Sequence, residues 1–151
     1  SLGRQDIAEF GDFASQFVFN GELPPVSADP APFPILAAAV RELAASDLPN
    51  LQPDTMTTAA LKSWVSIYAL LGMARDAGLT EPTAASVTEV LNETEDFDMG
   101  GLTPPWTPNA TSEGVLLRVS NPYYWTGSWD GESENFVLDP DQIDSVAVLA
   151  G

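Results

Sequence analysis

Between Pro24 and Pro34 five of eleven residues are proline, and this segment constrains everything around it. Each proline fixes its own φ, removes an amide donor and pushes the preceding residue away from helical backbone, so neither a helix nor an interior strand passes through. The segment reads as an extended, irregular connector between packed units. Before it, Gln16-Phe-Val-Phe-Asn20 reads as a short strand, stopped by Asn20-Gly21 and Pro24-Pro25.

After it the apolar spacing becomes helical. Pro34 suits a first helical turn, and Ile35, Leu36, Ala39, Val40 and Leu43 recur on one face, which predicts a helix over 34–46. Asp54 then reads as the N-cap of the longest helical pattern, with Met56, Ala60, Trp64, Ile67, Leu71 and Ala74 as its core-facing positions and Gly78 as its left-handed stop. Val65, Tyr68, Leu70 and Met73 add apolar surface around that helix, so it is expected to pack on more than one side. Thr80-Glu-Pro82 reads as another helix start, with Ala84, Val87 and Leu91 on one face and an end near Asn92. A Gly/Pro-punctuated crossing follows to Pro108. Strands are expected over 114–120, 123–129 and 135–138, with Asp130-Gly131 as a turn pair; the tail over 142–149 stays unassigned.

The charge narrows the partners. Against 22 acidic residues stand one lysine, Lys62, and four arginines, for a net charge of −17 over 151 residues. Nucleic acids and anionic membrane surfaces are poor partners for such a chain, because both demand cations. With no cysteine and no histidine, thiol chemistry, the usual zinc and haem ligand sets and imidazole-based triads are excluded. The 44% apolar content still implies a packed globular chain. No catalytic residues, metal ligands or cofactor site emerge, and the chain does not read as an enzyme.

Two stretches carry a resemblance: Trp64-Val-Ser-Ile-Tyr-Ala-Leu-Leu-Gly-Met-Ala-Arg-Asp-Ala-Gly78 and Phe97-Asp-Met-Gly-Gly-Leu-Thr-Pro-Pro-Trp-Thr-Pro108. In this order and separation the chain is similar to the C-terminal part of type I periplasmic solute-binding proteins, the leucine/isoleucine/valine-binding type that serves ABC transporters. The likeness runs from about Glu9 to Asp130. It implies an α/β fold, or α+β as an isolated piece, in which 1–151 form a single C-terminal fragment of a two-lobe protein. Residues 34–92 would be the helical part of the first lobe and 114–138 the β part of the second. Residues 17–25 and 102–108 would be hinge-like crossings, with Asn20, Gly21, Pro104, Pro105 and Trp106 at the hinges and the Trp106 ring as a plug. The implied partners are a small-molecule ligand and a membrane permease, outside the cell or in the periplasm, with a lipid anchor through a missing N-terminus. Self-association through exposed apolar surface is a further expectation, and a ligand-sensing receptor ectodomain is an alternative use of the same fold.

Candidate ligand contacts follow from the same likeness: Thr57, Thr58 and Ala59, at the start of the Trp64 helix, would face the cleft. Free amides and the dipole at a helix start favour a ligand carboxylate. The plainer reading is that Thr57 and Thr58 complete a turn capped by Asp54. Trp64 and Tyr68, one turn apart, read as core rather than as a ligand platform. Tyr123, Tyr124, Trp125 and Trp129 would suit a carbohydrate-binding or protein-interaction domain if they faced outward, but a hairpin covering a sheet turns half of them inside. The acidic runs Glu93, Glu95, Asp96, Asp98 and Asp130, Glu132, Glu134, Asp141 read as solvated surface, the second lacking the glycine a calcium loop needs at its sixth position, where Asn135 stands.

Overall fold

The computed structural model describes residues 4–29, 31–108 and 123–150, so the strand expected over 114–120 lies outside the described residues. Helices and an antiparallel sheet share the fold. In chain order the elements are α1 (Arg4–Ala8), β1 (Val18–Gly21), α2 (Pro34–Ala44), α3 (Thr58–Asp76), α4 (Ala84–Glu93), β2 (Tyr123–Asp130), β3 (Asn135–Leu138), β4 (Ile143–Asp144) and α5 (Ser145–Ala150). A 3-10 turn over Gly11–Gln16 leads into β1. The unassigned tail is thus a short strand running into a helix.

β2 organises the sheet. β1, β3 and β4 all pair with it antiparallel, Val18 opposite Ser128, Asp130 opposite Asn135 and Tyr124 opposite Ile143. The alternation of a strand puts Trp125 and Trp129 on one face. Trp125 packs into the main core and meets Phe33 edge-on at 5.2 Å, whereas Trp129 packs with Ile7, Ala14 and Phe136 in a second, smaller cluster. The turn between β2 and β3 spans 131–134 rather than the expected Asp130-Gly131 pair, because Asp130 is still paired with Asn135.

The main core joins the helices to the sheet. Leu36, Leu61 and Leu102 are fully buried, and Val65, Ala69 and Met73 extend the same cluster along α3. Full burial of each large aliphatic side chain stabilises by about 1.5–3 kcal/mol. The buried stripe of α3 is therefore Leu61, Val65, Ala69, Gly72 and Met73; of the expected positions Trp64 packs partly buried against the core, while Ile67 and Leu71 do not. α3 packs against both α2 and α4, but one face stays open: Ile67, Tyr68 and Leu71 are exposed. A helix that is apolar almost all round contains no internal preference for one face, so its neighbours decide. Here α2, α4 and the ring of Phe97 do. A Cβ on Gly72 would stand 2.6 Å from Phe97 Cζ, so glycine is what lets that ring lie on the helix.

Two helix starts are also displaced. Thr57, not Asp54, caps α3, because the preceding residues close a turn in which the Thr55 and Met56 amides donate to the Gln52 carbonyl. Thr83, not Thr80, caps α4 through a reciprocal box: the Ser86 amide donates to Thr83 Oγ1 at 3.1 Å and the Thr83 amide donates to Ser86 Oγ at 3.0 Å. Pro82 therefore precedes the cap instead of opening the helix. α2 stops at Ala44, two residues short of the expected end, and Gly78 follows α3 at φ +69° as expected.

Candidate functional site

Residues 94–108 connect the helices to the sheet. Phe97 and Trp106 exchange backbone hydrogen bonds of 2.8 and 2.9 Å, and the chain between them turns at Gly100 and Gly101, both at positive φ. Asp98 Oδ1 secures that turn by accepting from the Gly100 amide at 2.7 Å. Beyond it the Leu102 carbonyl accepts from Trp125 Nε1 and from Gln142 Nε2, each at 2.8 Å. Phe97 thus lies on α3 while Leu102 is tied to the sheet side.

Two depressions open beside the N-terminal part of α3. One is a groove of about 410 Å³ lined by Asn20 and Gly21 of β1, by Asp54 and Thr58, by Lys62 and by Phe136 of β3. The other is a smaller apolar pocket of about 140 Å³, lined by Leu23, Val65, Ala69, Met99 and Trp106 with Glu22, Ser66 and Thr103 at its polar edge. Lys62 lines both. Its Nζ lies 2.7 Å from Glu22 Oε2, with both side chains well exposed. An ion pair this open contributes about 0–1 kcal/mol to stability, so exchanging one partner for a ligand group costs little. Trp106 contributes one further feature: its Nε1 is buried and has no hydrogen-bond partner among the described residues.

The expected site residues divide. Thr58 lines the larger groove, as do Asn20 and Gly21, so residues from two separate segments meet there. Thr57 turns its hydroxyl to its own helix, accepting from the Ala60 amide at 3.4 Å, and Ala59 is exposed outside the groove. Trp106 reaches the smaller pocket, while Pro104 and Pro105 line neither depression. Glu22, Asp54 and Lys62 carry the charges here; Asp54 was read only as a helix cap, and sequence reasoning passed over Glu22 and Lys62 as site residues. The available signal was that the sole lysine of an acidic chain falls one helical turn after Thr58.

The two tryptophans on β2 do not form an outward platform, while Tyr123 and Tyr124 are half-buried. Trp125 and Trp129 are 9% and 5% exposed, with the first holding the Leu102 carbonyl and the second meeting Phe136 edge-on at 5.3 Å. On α3 the Tyr68 ring, read as core, is instead exposed and stacked on Trp64 with centroids 5.2 Å apart. The Trp64 indole donates to Glu42 Oε2 at 3.1 Å. In the second acidic run, Asp130 faces its own turn: it accepts from the Ser133 hydroxyl at 2.6 Å, the Ser133 amide at 3.1 Å and the Glu132 amide at 3.3 Å. These bonds, the hydroxyl's first, hold its carboxyl below the ordinary carboxylate value. Among the described residues no three acidic side chains gather as a metal site, and no helix is long and apolar enough to cross a membrane.

Compared with known proteins, the chain matches no family model, no curated protein and no solved structure.

Proposed function

We propose that this chain is the C-terminal portion of a two-lobe, type I solute-binding protein that captures a small polar metabolite such as an amino acid outside the cell and delivers it to an ABC-type permease. The observation that carries the reading is the convergence of Asn20, Gly21 and Thr58 on one groove. Those residues come from a strand and a helix start that are 37 positions apart in sequence, counting from Gly21 to Thr58. Lys62 lines that groove and the adjoining smaller pocket, and it pairs with Glu22 on the pocket side, so a cation and an anion stand side by side where the two depressions meet at Lys62. Such a pair suits a zwitterion, whose carboxylate would take Lys62 and whose ammonium would take Glu22. A purely anionic ligand would meet Glu22, Asp54 and the overall negative charge unfavourably. Binding involves no bond making or breaking; closure of the lobes would shift the population toward the form the permease recognises.

The test is calorimetry on the protein encoded by the whole reading frame, titrated with a panel of L-amino acids. One member of the panel is expected to bind, and both Thr58→Val and Lys62→Met are expected to weaken it about tenfold, which is 1.4 kcal/mol. A protein that lacks a second α/β lobe, or that binds amino acids equally well with Thr58 and Lys62 replaced, overturns the reading.

A further inference from the structure

Among the described residues no element covers the outer face of α3. Ile67 and Leu71 lie one turn apart on it and are 60% and 64% exposed, and Tyr68 stands between them on the Trp64 ring. None of these four residues lines the groove or the pocket that holds Lys62. Single exposed apolar residues are ordinary on a protein surface, but three at helical spacing form a stripe. Tyr68 also forms one wall of a separate groove of about 630 Å³, whose rim carries Asp76, Glu93, Glu95, Asp96 and Asp98. Arg75 lies there too, but it pairs with Asp76 at 3.1 Å. Among the described residues no ion pair reaches the other four carboxylates.

An apolar stripe beside unneutralised carboxylates specifies its complement. We infer that the outer face of α3 and this acidic groove dock a separate protein through an amphipathic helix whose apolar stripe is flanked by lysine or arginine. The apolar residues would cover Ile67 and Leu71, Tyr68 would act as the aromatic anchor at the boundary, and the cations would lie along Glu93, Glu95, Asp96 and Asp98. Charge argues against a second copy of this chain as the occupant. It would bring the same carboxylates to the same rim, with a further net charge of −17 behind them. The inference stands on residues outside the proposed solute site, so either can fail alone.

The experiment titrates the 151-residue chain with a synthetic helical peptide of about 18 residues, five turns, carrying leucines at heptad spacing and lysines on both flanks. Two control peptides keep its length: one scrambles the same composition, and the other replaces lysine by glutamate. The first peptide is expected to bind at least about tenfold more tightly than the scrambled one, and the glutamate peptide not at all. Leu71→Asp is expected to remove about tenfold in affinity with an unchanged circular-dichroism spectrum, since Leu71 contributes little to the core. Glu93→Gln with Glu95→Gln is expected to flatten the salt dependence. Equal binding of the scrambled peptide, or full affinity in both Leu71→Asp and Ile67→Asp, overturns the inference. So does a concentration-dependent dimer, seen in sedimentation, that Leu71→Asp dissolves.

Discussion

The two faces of α3 are built from the same kind of residue and have opposite fates. On one, Leu61, Val65, Ala69 and Met73 disappear into the main core; on the other, Ile67, Tyr68 and Leu71 stand in solvent. Composition does not distinguish them. What does is the core that the inner face joins, to which α2 supplies Leu36 and Ala39, α4 supplies Val90, and the 94–108 segment supplies Phe97, Met99 and Leu102. Burial on this helix is thus decided by partners distant in sequence, and the exposed face is the one for which the described chain supplies none.

The sharpest way to break that comparison is to truncate one leucine on each face. Leu61→Ala removes a fully buried side chain and is expected to cost about 2–5 kcal/mol of unfolding free energy in a denaturant titration. Leu71→Ala should stay within about 0.5 kcal/mol of the parent, as surface substitutions usually do. Equal losses would mean that the outer face is covered in solution.

A smaller effect tests how closely the inner face is fitted. Gly72→Ala improves helix propensity by about 1 kcal/mol, and on the outer face it would stabilise. Here the new methyl meets the Phe97 ring, at 2.6 Å from Cζ, with the ring already fixed by the Phe97 to Trp106 backbone pair. Overpacking of this kind costs about 1–3 kcal/mol, so net destabilisation is expected. A more stable Gly72→Ala protein would show that the 94–108 segment yields easily, and that the contact between it and α3 is loose.

Much of the fold was legible locally. Proline chemistry confined the connector, Pro34 opened α2, Gly78 followed α3, and the aromatic, β-branched runs became β1, β2 and β3. The helix starts were misplaced because Asp54, Thr57, Thr80 and Thr83 all have capping side chains, and the choice between neighbours rests on turn geometry: the Gln52 carbonyl closes one turn, and Ser86 answers Thr83 in the other. The facing of α3 was unreadable for a stronger reason, since its pattern is apolar nearly all round. At the candidate site, Thr58 was read as a ligand contact and Asn20 and Gly21 as hinge residues, and all three line one groove, whereas Glu22 and Lys62 were not singled out. Their pairing is a contact between a connector and a helix, and neither residue lies in a motif.

Exposure alone does not make a residue indifferent, and the β2–β3 turn supplies the test with the smallest effect. Asp130 is at the surface, as Leu71 is, yet it accepts three hydrogen bonds that shape residues 131–134, where Glu134 adopts φ +48°. Those bonds favour the ionised carboxyl, so its value in the folded chain lies below the ordinary one. The sign follows from linkage: the unfolded chain binds the proton more readily, so the contribution is complete above the ordinary carboxylate value. It declines as the pH falls below that value and is gone once the pH has passed the depressed one. The Ser133 amide resonance should therefore titrate in acid with a midpoint below that of an unstructured aspartate, and Asp130→Asn should abolish the titration and loosen the turn while leaving the core signals in place. A midpoint at the ordinary value would mean that the turn forms without help from the carboxylate, and that polar pairing adds nothing there which exposure of Leu71 does not already lack.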